Sequence, residues 1–256
     1  MMATNLASLS RLKGPYVLDS LRALRILTLV VAIGWSQYVV AANPEAPAAV
    51  KGADTGSIEG FVMYVRDSSR PWRYARYYVK NPKSGELAEA VVAIRGEGLN
   101  ASKSPAPAEI TIDQKNFQFQ PETVAIRRGD SVTFTNSDRA AHNVRSSGGL
   151  ANFNVTMPVD GKGYTVRFDR AGGISKPAEV DCVFHSNMRA WIFVFDHPYF
   201  MLTQADGRFR LADVPAGKYE LEMGHPAGGL RWRKPIEVKS GETLHVDIRV
   251  SPDNLK

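Results

Sequence analysis

The chain has few of the residues and motifs on which enzymes and disulfide-stabilised proteins depend. Its 256 residues include a single cysteine, Cys182, so no internal disulfide can form. We find no Ser–His–Asp order, no glycine-rich phosphate loop and no paired-carboxylate arrangement. These absences argue against the common hydrolases and phosphotransferases, and against an enzyme in general.

Net charge and long hydrophobic runs are also limited. The formal net charge is +6, and residues 1–42 contribute +3 of it, which leaves +3 for the remainder. That excess is too small to predict nucleic-acid binding. After the apolar run Ile26–Trp35 no segment is hydrophobic enough to cross a membrane, and this run is itself short for a transmembrane span.

Residues 1–42 are typical of a secretory leader. Basic residues up to Arg25 precede the apolar run, and the small residues Val40–Ala42 offer a cleavage site before Asn43. The basic region is long, so an uncleaved membrane anchor is the alternative. We expect a periplasmic or secreted protein, attached to a membrane only if the leader is retained. An unpaired thiol in such a compartment needs protection by a metal or by burial, which favours a ligand role for Cys182.

The rest of the chain predicts an all-β protein. Residues 43–56, rich in Pro, Ala and Gly, are typical of a linker. From Ser57 onward apolar residues alternate in short segments separated by turn residues, and no helical period is present. The alternating or continuously apolar segments include Ile58–Tyr64, Ala90–Ile94, Ile110–Ile112, Phe117–Phe119, Val132–Phe134, Tyr164–Phe168, Trp191–Phe195, Ile236–Val238 and Leu244–Val250.

The strongest chemical signal is the run Cys182-Val183-Phe184-His185-Ser186-Asn187-Met188. It brings a thiolate, an imidazole and a thioether onto what we expect to be one tight loop. His142 lies forty residues before Cys182, after the strand that ends at Asn136. If it lies on a strand next to the Cys182 loop, its imidazole is within reach of that loop. Two His, one Cys and a distant Met form the ligand set of a type 1 copper site.

Other interpretations of these residues remain open. A lone cysteine is often a small buried hydrophobe, and a methionine after a loop is often part of a core. Met157 is either core or a competing axial ligand. We expect His197, His225 and His245 to be surface or structural residues, and five histidines are too few for the multiple-copper site of an oxidase. A thiolate-binding metal such as zinc is the alternative to copper.

Residues 109–196 resemble the cupredoxins, including plastocyanin, amicyanin and pseudoazurin. The resemblance rests on the motifs Pro121, Gly129–Phe134, Asn136, Asp138, His142–Val144 and the Cys182 loop, whose short His-to-Met spacing is that of amicyanin. It implies one copper ion alternating between Cu(I) and Cu(II), with His142, Cys182 and His185 as equatorial ligands, Met188 as axial ligand, and Asn143 bonded to the Cys loop. Val180, Phe184 and Ser186 depart from the family, which often has an aromatic residue before the Cys and prolines beside the second His.

The flanking segments resemble a carboxypeptidase-regulatory-like (transthyretin-like) β-sandwich. One half of that pattern lies at Gly56–Val62 and Ala90–Ile94, and the other at Thr203–Leu211 and Val214–Leu221. We therefore predict a cupredoxin Greek-key β-sandwich, residues 107–196, inserted in a second, transthyretin-like sandwich made of residues 57–106 plus 197–256. Domain insertion requires the two ends of the insert to be close in space.

The predicted function is that of an exported mononuclear type 1 copper protein that carries single electrons. Its partners would be periplasmic redox proteins docking near His185, and neither nucleic acid nor catalysis is expected. A copper-delivery or storage protein and a metal-free interaction module are the alternatives; a catalytic or redox-sensing site would need an open coordination position, which Met188 disfavours. The basic, aromatic stretch Arg66–Lys83 is either a loop covering a sandwich face or a docking patch for an acidic partner or anionic glycan.

Overall fold

The computed structural model describes residues 54–65, 85–99, 106–226 and 229–251. The predicted leader 1–42, most of the linker 43–56 and the stretch Arg66–Lys83 lie outside the described residues. Within the described ranges no residue lies in an α-helix, and no helix is long and apolar enough to cross a membrane. The predicted all-β fold class is confirmed.

The described part of the chain contains seventeen strands. They are β1 (Thr55–Tyr64), β2 (Val91–Arg95), β3 (Glu109–Lys115), β4 (Gln118–Gln120), β5 (Thr123–Arg127), β6 (Ser131–Asn136), β7 (His142–Ser147), β8 (Asn152–Met157), β9 (Tyr164–Arg167), β10 (Ala178–Cys182), β11 (His185–Phe195), β12 (Phe200–Leu202), β13 (Arg208–Pro215), β14 (Gly217–His225), β15 (Leu230–Val238), β16 (Thr243–His245) and β17 (Ile248–Val250).

Strands β3 to β11 form two sheets. One has the order β4-β3-β6-β9 and the other β5-β11-β10-β7-β8. Side chains alternate between the two faces of a strand, so Val132 and Phe134 of β6 and Ile112 of β3 all point inward and are fully buried. They belong to one hydrophobic core that also contains Cys182 and Met188. The predicted metal-ligand cysteine therefore lies in the wall of this sandwich.

The remaining strands come from both sides of this block in sequence. β1 pairs with β13 in antiparallel fashion and with β16 and β17 in parallel fashion. A second sheet has the order β12-β2-β14-β15. One hydrophobic core joins residues from both sides of the block, among them Ile58, Val92, Leu221 and Ile248. β1 begins at Thr55, inside the segment predicted as a linker.

Strand β11 connects the two groups of sheets. Its eleven residues begin at His185 and end at Phe195. Phe193 and Phe195 pack in a small core with residues of β2 and with Phe200 of β12. The rings of Phe195 and Phe200 stack at 4.6 Å with an interplanar angle of 18°. One strand thus runs from the predicted metal site to the contact between the two groups of sheets.

Candidate metal centre

The cysteine and the second histidine are brought together by a hairpin. β10 ends at Cys182, the turn is Val183-Phe184, and β11 begins at His185, whose Cα partner is Cys182. The prediction of one loop from Cys182 to Met188 is therefore wrong in extent. Met188 is part of β11, but the register shifts after the Cys182–His185 pair, and pairing with β10 resumes only where Arg189 lies opposite Asp181. Residues 186–188 therefore form an irregular segment of the strand that has no partner in β10.

His142 reaches the same place from the neighbouring strand. It is the first residue of β7, which lies beside β10 in the sheet, and its side chain is fully buried. The backbone N–H of Asn143 donates a hydrogen bond to the Cys182 Sγ at 3.3 Å. The sheet thus fixes the position of His142 relative to the thiol.

Three donor atoms converge where β7, β10 and β11 meet. The Nδ1 atoms of His142 and His185 are 3.1 Å apart, and Cys182 Sγ is 3.6 Å from His185 Nδ1. One atom from each residue lies within 4.8 Å of the others, and this is the only such cluster of His, Cys, Asp and Glu among the described residues. Ligand bonds of about 2.0–2.3 Å place donors of one ion roughly 3.3–3.8 Å apart, so the cluster fits a single metal ion.

The two candidate axial methionines are both buried in the core that contains Cys182. Met188 has no exposed surface, and on its strand it shares the buried face with Ala190 and Ile192. Met157 is 2% exposed and lies directly opposite His142 in the β7–β8 pair. Directly opposed residues share a face of the sheet, so Met157 is also on the His142 side.

Asn143 connects three strands around the thiol. Its side-chain amide donates to Asn154 Oδ1 at 2.8 Å and to the Val155 carbonyl at 3.1 Å. Its Oδ1 accepts the backbone N–H of Val183 at a longer 3.5 Å. These contacts tie the Cys182–His185 turn to β7 and β8, the arrangement that the family resemblance implies.

Sequence analysis assigned no role to Asp138, four residues before His142. Its Oδ2 lies 2.8 Å from His142 Nε2, and the carboxylate also accepts the backbone N–H groups of Asn116 and Phe117 at 2.7 and 2.9 Å. Burial alone would raise the pKa of Asp138, but the hydrogen bonds from Phe117, His142 and Asn116 lower it below its ordinary value. The sequence signal for this role was available, because Asp138 and His142 both belong to the motif that resembles the family.

Phe117 does not lie in a strand, as its alternation with Phe119 had suggested. Asn116 and Phe117 form the turn between β3 and β4, with φ angles of 56° and 58°. The Phe117 ring is edge-on to His142 and His185, at centroid distances of 5.4 and 4.9 Å. Phe117 is 46% exposed, and the turn residues Val183 and Phe184 are 46% and 53% exposed. We call Phe117, Val183 and Phe184 the apolar rim.

The other histidines lie in the outer strands or their connections. His225 is buried, and burial lowers its pKa to about 4. Burial also lowers the pKa of His197 to about 4, against the opposing effect of Asp196. His245 is mostly exposed and lies 3.3 Å from Glu59. None of the three belongs to the metal cluster found among the described residues.

The part of the chain that contains this centre is similar to known copper-binding proteins. The model of copper-binding proteins of the plastocyanin/azurin family matches residues 106–194. A chloroplastic plastocyanin from Tetradesmus obliquus is 33% identical over 92 residues, covering 32% of this chain and 63% of that protein. Amicyanin from Paracoccus versutus is 24% identical, with 40% of this chain and 96% of amicyanin covered, at a TM-score of 0.30. A copper-containing nitrite reductase from Thermus scotoductus is 22% identical, with 37% and 23% covered, also at 0.30.

The residues that match the family model form the sandwich of strands β3 to β11 and include the whole metal cluster. The chain spans 63% of the length of the plastocyanin that it matches. A thiol and an imidazole that are buried, together with a half-buried imidazole, converge where three strands meet, and this donor set suits copper. Residues 106–194 therefore resemble the copper-binding domains of the plastocyanin/azurin family, the cupredoxins.

Proposed function

We propose that this domain carries single electrons through one copper ion held by His142, Cys182 and His185, with Met188 as a weak axial ligand. The observation that carries the proposal is the convergence of the three donor atoms within 4.8 Å. Copper supplies one-electron exchange between its Cu(II) and Cu(I) states, and thiolate and imidazole ligands suit both.

The protein's contribution is to hold these ligands in place. Cys182 and His185 are fixed by the β10–β11 hairpin, and His142 by the ladder that joins β7 to β8. The hydrogen bonds of Asn143 bind the turn to both strands. Ligands held by packed strands move little when the charge on the metal changes, and this favours electron transfer.

Burial favours a carrier over a delivery or storage protein. His142 has no exposed surface and Cys182 is 3% exposed, so an external ligand cannot easily reach either donor. Only His185 is partly open to solvent. We expect the copper-loaded protein to retain its metal for hours against excess chelator; rapid transfer to the chelator would favour delivery.

We infer that electrons leave through His185. It is half-buried, and Phe117 and Phe184 lie at ring distances of 4.9 and 6.5 Å from it. The exposed apolar rim surrounds this imidazole and suits weak, transient docking of a redox partner protein. We assign no catalytic role to the site, because Met188 would complete the coordination on the buried side.

Export and partner location are inferred from the sequence. The leader-like residues 1–42 and the unpaired thiol support a periplasmic or secreted protein, membrane-attached only with an uncleaved leader. Partners would then be periplasmic redox proteins. Cell fractionation with N-terminal sequencing tests this, and a cytoplasmic protein that keeps residue 1 would contradict it.

We also propose that the cupredoxin domain, residues 107–196, is inserted in a transthyretin-like sandwich made of residues 57–106 plus 197–256. Pairing of β1 with β13, β16 and β17 supports this division. The Ile94 N–H donates to the Tyr199 carbonyl at 3.3 Å, so the chain returns close to where it left. Residues 106–196 expressed alone should fold and bind copper if the division is correct.

The test of function is a visible absorption spectrum of the protein from Asn43 after addition of Cu(II). We expect an intense Cys-to-copper band that is bleached by reductant and is absent in Cys182→Ser. A protein that folds but gives no band would contradict the electron-carrier proposal and favour a metal-free interaction module.

A further inference from the structure

We propose that Asp138 is a positioning residue that orients His142 for the metal and also holds Phe117 over both imidazoles. The inference rests on the proposed function, since it takes His142 and His185 to be copper ligands. Asp138 accepts three hydrogen bonds at 2.7–2.9 Å, one from His142 and two from the turn between β3 and β4. No other carboxylate among the described residues contacts this metal cluster at such distances.

The contact with His142 decides which ring nitrogen is free to bind metal. Asp138 Oδ2 is an acceptor, so the hydrogen of the neutral imidazole lies on Nε2. The lone pair is then on Nδ1, the atom that faces His185 and shares the cluster with Cys182. His142 is fully buried and the Asp138 side chain is 12% exposed, so solvent can reach this bond only from the Asp138 side.

The contact with the turn holds an uncommon backbone. Asn116 and Phe117 both have positive φ, a region that residues other than glycine rarely adopt. Their N–H groups point at the two carboxylate oxygens, one each, and bonds to a charged acceptor are strong. The carboxylate therefore stabilises the one turn shape that places the Phe117 ring edge-on to His142 and His185.

A carboxylate is the group that these contacts require. Both of its oxygens accept, whereas an amide has one accepting oxygen and one donating nitrogen. An asparagine at 138 would place its NH₂ against a donor, either His142 Nε2–H together with Phe117 N–H, or Asn116 N–H. The negative charge also makes the imidazole a stronger donor, which favours Cu(II) over Cu(I).

The experiment compares the copper-loaded proteins Asp138→Asn and Asp181→Asn with the unchanged chain. Asp181 precedes Cys182 but pairs with the exposed Arg145, so its substitution removes the same charge without touching an imidazole. We expect D138N to weaken Cu(II) binding about 10- to 100-fold. We expect Cu(I) binding to weaken less. Each tenfold excess in the loss of Cu(II) affinity over the loss of Cu(I) affinity raises the reduction potential by about 59 mV. D181N should shift the potential far less.

A second pair of variants separates the two contacts of Asp138. Asn116→Gly suits the positive φ at one of the two turn positions and so makes the turn easier to form without the carboxylate. In the double variant D138N/N116G, copper should again be lost only slowly to a chelator, because Phe117 is back in place. The reduction potential should stay raised. Phe117→Ala should show the reverse pattern, with faster copper loss and a potential close to that of the unchanged chain.

The inference would be overturned if the reduction potential shifted equally in D138N and D181N, or did not shift in D138N. It would also be overturned if the His142 Nε2–H proton signal in the NMR spectrum of Cu(I)-loaded D138N were unchanged. The spectrum of the unchanged chain keeps this failure apart from that of the proposed function. If the Cys-to-copper band is present there and D138N behaves normally, only the role of Asp138 is refuted. If the band is missing, the proposed function itself fails.

Discussion

Replacing Met188 by leucine tests whether this residue is the axial ligand, as proposed above, without leaving a cavity in the core. Met188 is fully buried, so alanine there would leave a cavity and destabilise the fold by about 2–5 kcal/mol. Leucine has a similar volume, and such exchanges usually change stability by less than about 1.5 kcal/mol. Met188→Leu therefore removes the thioether while the sandwich stays folded.

The expected result is a retained Cys-to-copper band with a raised reduction potential. The three equatorial donors stay in place, so the band persists. Loss of a weak electron donor favours Cu(I), and every tenfold change in that preference corresponds to about 59 mV. Met157→Leu is a matched control, because Met157 is 2% exposed, belongs to the same core and faces the same site as its partner His142.

Voltammetry on both variants, with chemical unfolding of the copper-free forms, completes this test. We expect the potential to move in Met188→Leu and to stay unchanged in Met157→Leu, with similar small losses of stability in both. A shift confined to Met157→Leu would show that Met157 is the axial ligand. Unfolding free energies that fall by several kcal/mol would show that the core does not accept the exchange.

Two further predictions concern the scaffold. Phe195→Ala removes a buried ring that stacks on Phe200, and should lower the free energy of unfolding by about 3–5 kcal/mol while the copper band is unchanged; a lost band would mean that the contact between sandwiches shapes the site. His225 has a folded pKa of about 4 against about 6.5 unfolded, so the unfolded chain binds more protons between these values. Stability should therefore be full above about pH 6.5 and fall by up to about 1.4 kcal/mol per pH unit towards pH 4, a slope that denaturant titrations would find reduced in His225→Gln.

Much of the fold and of the metal cluster could be predicted because the signals are local. Alternation at Val132 and Phe134 fixes both the strand and its buried face. The Cys182-x-x-His185 spacing survives in the structure because a hairpin with a two-residue turn sets its two flanking residues opposite each other. Continuous apolarity at Trp191–Phe195 correctly predicts a strand covered on both faces, although nothing in that segment says what covers it.

The errors lie where contacts between distant residues decide the local structure. Phe117 continues an alternating pattern, yet it lies in a turn because a carboxylate twenty-one residues later accepts its N–H. Met188 was expected in a loop, but it lies in an irregular segment of β11, just before Arg189 pairs with Asp181 of β10. In both cases contacts with residues distant in sequence decide the local backbone, and no periodic pattern in a single sequence contains that information.

The position of the ligands in the fold explains how one site can be both rigid and accessible. His142 and Cys182 are buried in strands β7 and β10, each of which is paired with a strand on both sides. His185 begins β11 beside an exposed turn. The same strand is anchored ten residues further along by the stack of Phe195 on Phe200. Movement of β11 relative to β10 and β7 would break pairing along the sheet and the packing between sandwiches together. If the domain carries electrons as proposed, the outer group of sheets would support that role by holding β11 in place, since among the described residues none of its side chains belongs to the metal cluster.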